Sequence, residues 1–357
     1  MKLTVNQVRA GCEWQRDLCR KNASPTYAAI LTELIGRLGT DEAVTELLTA
    51  DGQDPVQSAL CLRLFGAVNR VAMAQSASWL KAYYPTFGGA TDVDKAVPAF
   101  FDFLAANLDA VRDQMTVSVQ TNEVGRAAPL SAAMNYVAMV TGLPLRLLEV
   151  GASAGLNLLL DRYFVASGDT SWGPADSTLR LVGHFASGQP PAATSDIEER
   201  RGCDLNPIDA HAPGTDGLLR SFVWPEHVER GRRLDAALKV ARSAPKLSLD
   251  AADACTWVSQ NLAELPRGRT TVVFHSIVLA YFTPDERARF AKVIRTRGAA
   301  TDEDRPLAWI SLEPSDDDSS VVNLVCEMWP LGRRVVLATT TPHGTQVRWD
   351  PKEDRHQ

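Results

Sequence analysis

The sequence predicts an α/β protein whose mostly parallel sheet ends in an antiparallel hairpin and follows an all-helical amino-terminal domain. Through residue 142 apolar residues recur at helical spacing, and after Pro144 short apolar runs alternate with helical segments, as in βαβ units. The last two β-branched runs, Arg333–Thr340 and Thr345–Trp349, are joined by a connection too short for a parallel crossover. We therefore divide the chain into a helical domain, 1–142, and an α/β domain, 143–357.

Within the first domain, capping residues and apolar faces predict four helices. Ser24 and Pro25 are typical of a helix start, and Asp54 and Pro55 repeat that signal ahead of a face that runs to Val71. Two further stripes predict helices over Phe101–Met115 and Leu130–Val140.

In the second domain, buried runs alternate with helices. The predicted strands are Leu145–Val150, a run ending at Asp204, Leu247–Leu249, Thr271–His275 and Leu307–Leu312. The predicted helices start at Leu158, cover Glu226–Ala241, follow a capping box at Thr283 as far as Gly298, and cover Ser319–Met328. Residues 167–199, rich in Gly, Pro, Ser and Asp, are predicted to form an insertion beside the sheet.

Composition limits the classes of partner. With 37 Lys plus Arg against 43 Asp plus Glu the net charge is -6, which provides no general attraction to nucleic acid or anionic lipid, so we expect a small-molecule substrate. The six cysteines form no Cys-x-x-Cys pair and the six histidines no zinc-binding pattern, so we expect reduced, mostly buried cysteines and no metal. The amino terminus is unlike a signal peptide and no apolar run spans a bilayer, so a cytoplasmic location is expected.

The most informative segment is the turn after the first predicted strand, where small residues precede a helical segment. The candidate cofactor contacts in this turn are Glu149, Gly151, Ala152, Ser153, Gly155 and Asn157. Small residues at such a turn let a ligand approach the backbone. Ser153 stands where a dinucleotide-binding loop needs its middle glycine, and the Lys of a P-loop is missing, so diphosphates are disfavoured.

Two other chemistries use this turn. Gly151–Gly155 fits the Gly-x-Ser-x-Gly pattern of α/β-hydrolases, with Ser153 as nucleophile, His275 or His343 as base and Asp253 as acid. S-adenosylmethionine carries no phosphate, so its site does not need the middle glycine, and the carboxylate of Glu149 suits a cationic ligand with an amino group.

The pattern Glu-x-Gly-x-x-x-Gly, from Glu149 to Gly155, resembles the first motif of class I S-adenosylmethionine-dependent methyltransferases. The resemblance implies a Rossmann-like sheet whose terminal hairpin is similar to the reversed last two strands of those enzymes. It also implies cofactor contacts at later strand ends. These are Asp204 at the ribose, Leu205 beside the adenine, Asp253 and Ala254 at the adenine amino group, and His275 and Ser276 facing the methyl group.

Longer motifs are similar to those of a family of bacterial proteins known only as a domain of unknown function. They are Tyr83–Pro85 with Gly88 and Gly89, Gln120–Arg126, Glu149–Leu158, Asp204–Pro207, Val273–Tyr281 and Pro342–Gly344. This resemblance covers nearly the whole chain, and it implies no reaction.

Polar residues before the first predicted strand are candidates for ligand contacts. Arg126 is expected to pair with the methionine carboxylate, and Asn122 and Glu123 to contact substrate. An internal hydrogen-bond network explains these three residues equally well. Tyr84 and Tyr163 are candidate pocket aromatics, or core residues.

Taken together, these patterns predict an S-adenosylmethionine-dependent methyltransferase that acts on oxygen or nitrogen of a small molecule. If the acceptor must lose a proton, the candidate bases are His275, Glu123 and Tyr281, with His275 favoured because neutral imidazole is available near neutral pH. The alternatives are an α/β-hydrolase and a non-catalytic module that binds the cofactor. The acceptor and the oligomeric state are not predicted.

Overall fold

The computed structural model describes residues 2–192, 194–315, 318 and 320–353. The chain forms two compact units, one made of residues up to Thr121 together with Gly214–Arg232, the other of Asn122–Pro213 together with the chain from Arg233 onward. The predicted boundary between residues 142 and 143 therefore lies too late, because helix α8 (Ala127–Thr141) belongs to the second unit. There the Asn135 side chain accepts the N–H of Ser195 and donates to the carbonyl of Pro191.

The described part of the first unit consists of helices and their connections. Its helices are α1 (Val5–Lys21), α2 (Pro25–Arg37), α3 (Glu42–Thr49), α4 (Leu60–Ala74), α5 (Ser78–Tyr83), α6 (Val93–Ala106), α7 (Leu108–Gln114) and α9 (Thr215–Arg220). Helix α4 begins later than predicted from Pro55, because residues 55–59 form turns and Ala59 is left-handed, with φ +49°. The stripe over Phe101–Met115 is two helices rather than one, because Asn107 leaves the helical conformation at φ -129°.

Aromatic rings form much of the core of this helical unit. Tyr27 stacks on Phe65 with ring centroids 3.7 Å apart, and Tyr84 packs edge-on against Trp79. Tyr84, predicted as a pocket aromatic, is fully buried among these rings, so it contributes to packing. Across the described residues of both units, every helix is too short or too polar to cross a membrane.

The second unit contains the strands and three more helices. The strands are β1 (Leu145–Val150), β2 (Phe164–Ser167), β3 (Thr170–Trp172), β4 (Arg180–Leu181), β5 (Phe185–Ser187), β6 (Ile197–Asp204), β7 (Ser248–Ala251), β8 (Thr270–Ser276), β9 (Leu307–Pro314), β10 (Val322–Trp329), β11 (Arg333–Thr340) and β12 (Val347–Glu353). Besides α8, the helices are α10 (Val228–Ser243, which begins in the first unit), α11 (Ala254–Asn261) and α12 (Pro284–Gly298).

Among the residues that the structure describes, nine strands form one sheet in the order β5-β12-β11-β10-β9-β8-β1-β6-β7. The five strands β7, β6, β1, β8 and β9 are parallel, which confirms the predicted mostly parallel sheet. Val150 of β1 lies opposite Cys203 of β6 and His275 of β8, so the carboxyl ends of these three strands share one edge. Within the predicted insertion, β3 and β4 pair with β2 in a small separate sheet in the order β3-β2-β4, whereas β5 joins the edge of the large sheet beside β12.

Beyond β9 the sheet is an antiparallel meander of β10, β11 and β12. The predicted terminal hairpin is confirmed as β11 and β12. The predicted helix Ser319–Met328 is wrong: the chain over Val322–Trp329 is strand β10, hydrogen-bonded on both sides, and Ser319 lies outside the described residues. Each edge of β10 satisfies its backbone groups in the sheet, which overrides the weak helical pattern of the sequence.

Candidate functional site

The loop after β1 reverses the chain through three left-handed residues. Gly151, Ser153 and Gly155 have φ of +70°, +52° and +70°. The loop is closed by hydrogen bonds from Ala152 N–H to the carbonyl of Cys203, at 2.9 Å, and from Gly155 N–H to the carbonyl of Ala152, at 2.7 Å. A 3₁₀ helix, Leu156–Arg162, follows where an α-helix was predicted from Leu158. Backbone N–H groups of this loop are thus already bonded within the protein, and a phosphate would need them free. The loop is therefore poorly suited to bind phosphate.

Asp204, at the end of β6, fixes this loop from the neighbouring strand. Its Oδ2 accepts the Ser153 N–H and its Oδ1 accepts the Asn206 N–H, both at 2.9 Å. The second bond is the Asx turn typical of Asp at such a position. Leu205, predicted beside an adenine, is 75% exposed. The strand end therefore presents a carboxylate next to an exposed apolar side chain.

Glu149 is the most deeply buried carboxylate of the site. Only 2% of the residue is exposed, and none of the described residues makes a hydrogen bond to its Oε2 atom. Burial, and next the negative charge of Asp204, raise the pKa of Glu149, whereas the Asn157 side chain and Arg126 lower it. A buried carboxylate oxygen without a donor is costly, so it marks a position where a ligand donor would be favourable.

The space beside Gly151 is filled by another side chain. A Cβ atom built at Gly151 would lie 2.4 Å from Cγ2 of Val278. Val278 follows Ile277, whose φ is +52°, an unusual conformation for a β-branched residue. Gly151 is therefore needed both for its dihedral angle and for close contact with Val278.

His275, favoured as the base in the sequence analysis, is fully buried in β8 with both ring nitrogens engaged. The indole N–H of Trp309 donates to Nε2 at 3.0 Å, and Nδ1 lies 2.7 Å from Oε1 of Glu313. Because the indole is only a donor, Nε2 carries no proton and Nδ1 donates to Glu313. In this arrangement His275 offers no lone pair to a substrate.

Arg126 joins two strand-end loops. Its guanidinium donates to the carbonyls of Pro342 and Ser276, each at 2.9 Å, and it acts electrostatically on Glu149 and Tyr281. The Ser276 residue itself is 9% exposed. Arg126 therefore lies within the predicted site, where its guanidinium also lies 3.5 Å from the hydroxyl of Ser276.

Tyr281 has the greatest exposure of the three predicted bases, at 51% of the residue. Desolvation by surrounding protein atoms raises the pKa of its phenol, while Arg126 lowers it and Glu313 raises it. The phenol is therefore protonated near neutral pH and is suited to donate a hydrogen bond.

Asn122 and Glu123 are part of an internal network. The Asn122 side chain accepts the Leu156 N–H at 3.0 Å, at the start of the 3₁₀ helix. Glu123 is 4% exposed, accepts the Gly125 N–H, and lies 3.1 Å from Nδ1 of His343. An internal hydrogen-bond network, the alternative to substrate contact in the sequence analysis, therefore accounts for the positions of these two residues.

Asp253 and Tyr163 also have structural roles. Asp253 Oδ1 accepts the N–H and the hydroxyl of Thr256, so it caps α11, which begins at the buried Ala254. These bonds lower the pKa of Asp253. The fully buried Tyr163 donates its hydroxyl to the carbonyl of Leu156 and lies close enough to Glu149 for their charges to interact.

The geometry does not provide Ser153 with a base. Its Oγ is buried and makes no hydrogen bond with the part of the chain that the structure describes. Both nitrogens of His275 are engaged with other residues, and Ser153 Oγ makes no hydrogen bond to His343, whose Nδ1 contacts Glu123. Nucleophilic catalysis by Ser153 needs a hydrogen-bonded base, so the hydrolase reading is not supported here.

Glu313, at the carboxyl end of β9, is a site residue that the sequence reasoning missed. Besides His275, it accepts the Val278 N–H at 2.9 Å. The available signal was its position: it is the first acidic residue after the predicted strand Leu307–Leu312. Applying the strand-end rule to this strand, as to the others, would have found it.

Comparison with known proteins supplies a family. One family model, described as "Uncharacterized protein conserved in bacteria (DUF2332)", matches residues 9–349, almost the whole chain. The chain belongs to this family. The family resemblance carried by the long motifs is thus confirmed, and none of the curated proteins compared with the chain matches it. The description of the DUF2332 family states no reaction, so the function of this member has to be argued from its site.

Proposed function

We propose that this DUF2332 protein binds S-adenosylmethionine at the carboxyl ends of β1 and β6 and transfers its methyl group to oxygen or nitrogen of a small molecule. The observation that carries the proposal is the buried Oε2 of Glu149, without a donor among the described residues, beside the glycine-rich loop. Glu149 lies one residue before the end of β1 and Asp204 ends the adjacent β6, and the negative charge of Asp204 contributes to the raised pKa of Glu149.

The sheet order supports this location. From β1 the chain builds outward to β6 and β7 on one side, then to β8 and β9 on the other. Ligands of open α/β sheets bind outside the strand carboxyl ends at such a reversal of strand order. The loop after β1 lies at this reversal, next to the ends of both β6 and β8.

The residues present match the chemistry of the cofactor. Glu149 offers an acceptor to an ammonium group, and Asp204, whose oxygens each hold one N–H in the structure, retains lone pairs for hydroxyl donors. Leu205 offers an exposed apolar surface to a planar base. Arg126 is the nearby cation for a carboxylate. Val278 must move for a ligand to touch Gly151.

The role of the chain in such a reaction is positioning and exclusion of water. When bound, S-adenosylmethionine would supply an electrophilic methyl group and leave as the neutral thioether S-adenosylhomocysteine, and a hydroxyl or amine acceptor would lose its proton to solvent. Tyr281, protonated and half-exposed, is placed to orient the acceptor by donating a hydrogen bond. We do not assign His275 as a base, because its ring nitrogens are occupied.

Titration calorimetry of the full chain with S-adenosylmethionine, S-adenosylhomocysteine and NAD tests the proposal. We expect both sulfur nucleosides to bind and NAD not to bind. The ammonium group of the ligand should draw Glu149 into its ionised form, so Glu149→Gln, which cannot ionise, should weaken binding of S-adenosylmethionine by about tenfold, the loss expected for one charge-assisted hydrogen bond. The matched control is Asp302→Asn, an exposed carboxylate on the loop before β9, at the opposite edge of the sheet.

Ser153→Ala separates the two enzyme classes. It should leave nucleoside binding intact, whereas a hydrolase would lose all turnover of ester substrates. Transfer of a labelled methyl group from S-adenosylmethionine to a component of a protein-free extract then distinguishes the enzyme from a non-catalytic binding module. Absence of binding by both sulfur nucleosides would refute the proposal.

A further inference from the structure

One short segment covers the glycine-rich loop and is held by a single carboxylate. Residues 277–282 leave the end of β8 and include the 3₁₀ turn Leu279–Tyr281; we name them the covering segment. Its Val278 fills the space beside Gly151. Its Ile277 continues the sheet through a 2.9 Å bond from its N–H to the carbonyl of Leu312. The segment is thus anchored at its first residue and lies over the loop at its second.

Glu313 fixes the covering segment at the next two residues. Its Oε1 accepts from Nδ1 of His275 at 2.7 Å, from the Val278 N–H at 2.9 Å and, at a longer 3.4 Å, from the Leu279 N–H. Trp309 in turn fixes the other nitrogen of His275. This one oxygen therefore connects two strands, β8 and β9, to the backbone that carries Val278.

Two features destabilise the position of the covering segment over the glycine-rich loop. The left-handed conformation of Ile277 is strained, because its branched Cβ crowds the backbone at positive φ. The second oxygen of Glu313, Oε2, is buried without a hydrogen-bond partner among the residues described. Both costs disappear when the segment moves and water reaches the carboxylate. The covered state therefore depends on the bonds of Oε1 and on the packing of Val278.

We propose that Glu313 is a positioning residue of this site: with His275 it holds Val278 over Gly151, and a ligand reaches Gly151 only when the covering segment moves. The identity of that ligand rests on the proposed function, but the positioning role does not. Oxygen Oε1 of Glu313 is the element that sets the balance between covered and open loop.

Hydrogen exchange measured by mass spectrometry tests the positioning role without any ligand. In Glu313→Ala, amides of the covering segment should exchange at least about tenfold faster, because the charged acceptor of the Val278 N–H is gone. Glu313→Gln keeps a carbonyl oxygen, so its covering segment should exchange at a rate between those of the parent chain and Glu313→Ala. This variant tests the positioning role if the alanine variant fails to fold. The matched control is Glu327→Ala, which removes a buried carboxylate from β10, where it pairs with Arg295.

The inference requires that the covering segment exchange faster in the Glu313 variants than in the Glu327 control. Equal exchange of the covering segment in the Glu313 and Glu327 variants would overturn the inference, because the effect would then reflect global stability alone. Calorimetry with S-adenosylhomocysteine provides the second readout. Glu313→Ala and Val278→Ala should bind it several-fold more tightly than the parent chain, because less free energy is spent on uncovering Gly151.

Weaker binding by both variants would also overturn the inference, since the segment would then be part of the ligand contact. If neither the parent nor the variants bind the nucleoside, the proposed function fails. The exchange comparison still decides the role of Glu313 in that case.

Discussion

The backbone N–H of Ser153 donates to Oδ2 of Asp204 at 2.9 Å. This bond joins the loop after β1 to the end of β6, the neighbouring strand. It holds a residue with positive φ, so one carboxylate stabilises a strained loop conformation from outside the loop. The negative charge of Asp204 also contributes to the raised pKa of Glu149. Loop shape and the ionisation of the site are therefore coupled through one side chain.

Asp204→Asn should destabilise the protein by about 1–2 kcal/mol, because an amide NH₂ would face one of the two backbone donors, of Ser153 or Asn206. Urea unfolding measures this loss, and calorimetry should show weaker binding of S-adenosylhomocysteine. Asp209→Asn is the control: it removes a charge from the same loop, where the partner is Lys246. Equal effects of the two substitutions would contradict a specific role for Asp204.

Gly151→Ala should cost about 2–4 kcal/mol, combining the left-handed penalty with overpacking against Val278. Gly268→Ala isolates the first term, because Gly268 has φ +69° and a Cβ built there meets no atom within 4 Å. Adding Val278→Ala to Gly151→Ala should recover only the overpacking part, as a double-mutant cycle by urea unfolding would measure. A cost no larger than that of Gly268→Ala would mean that Val278 is not held against the loop.

Two substitutions of Asp253 distinguish a helix-capping role from a ligand contact. Asp253→Ala should lose about 1 kcal/mol of stability with the N-cap of α11, whereas Asp253→Ser retains a capping oxygen. If Asp253 also contacts the adenine amino group, Asp253→Ser should be as stable as the parent yet bind S-adenosylhomocysteine about tenfold more weakly, the loss of one charge-assisted bond. Unchanged binding would leave Asp253 as a cap alone.

Several strands were predictable because their signals are local. Strand Leu145–Val150 and strand Arg333–Thr340 have the predicted bounds, and the strand predicted to end at Asp204 does so. The capping box at Thr283 is formed as well. In each case a local apolar, β-branched or capping pattern marks the element, although the strands themselves also pair with distant segments.

The predictions that failed concern features that depend on residues far away in the chain. The segment Val322–Trp329 is a strand because β9 and β11 pair with it, which no local pattern encodes. The engaged state of His275 depends on Trp309 and Glu313, which are more than thirty residues away in the chain. Glu123, likewise, meets His343 from a distant loop. Residue type and spacing indicated which strand ends carry the candidate residues, but not which of their lone pairs already accept hydrogen bonds.

Glu149→Gln makes the pH dependence of the site testable. Burial raises the pKa of Glu149 above its unfolded value of about 4.3, so the native state favours the protonated carboxyl. Its contribution to stability is then complete below that unfolded value and is lost as pH rises through the folded pKa. Glutamine copies the protonated form, so the variant should be more stable than the parent at pH 7, by about 1 kcal/mol or more.

At neutral pH the difference in the free energy of unfolding amounts to about 1.4 kcal/mol for each unit by which the pKa is raised. It should shrink as the pH falls, and vanish near pH 4, where both chains carry a neutral side chain at position 149. Urea unfolding of parent and variant between pH 4 and pH 8 measures it. Glu286→Gln is the control, because the pKa of Glu286 is lowered by the N–H of Thr283, which reverses the sign of the pH dependence. A pH-independent difference at position 149 would mean that Glu149 is ionised in the native state and has found a compensating donor.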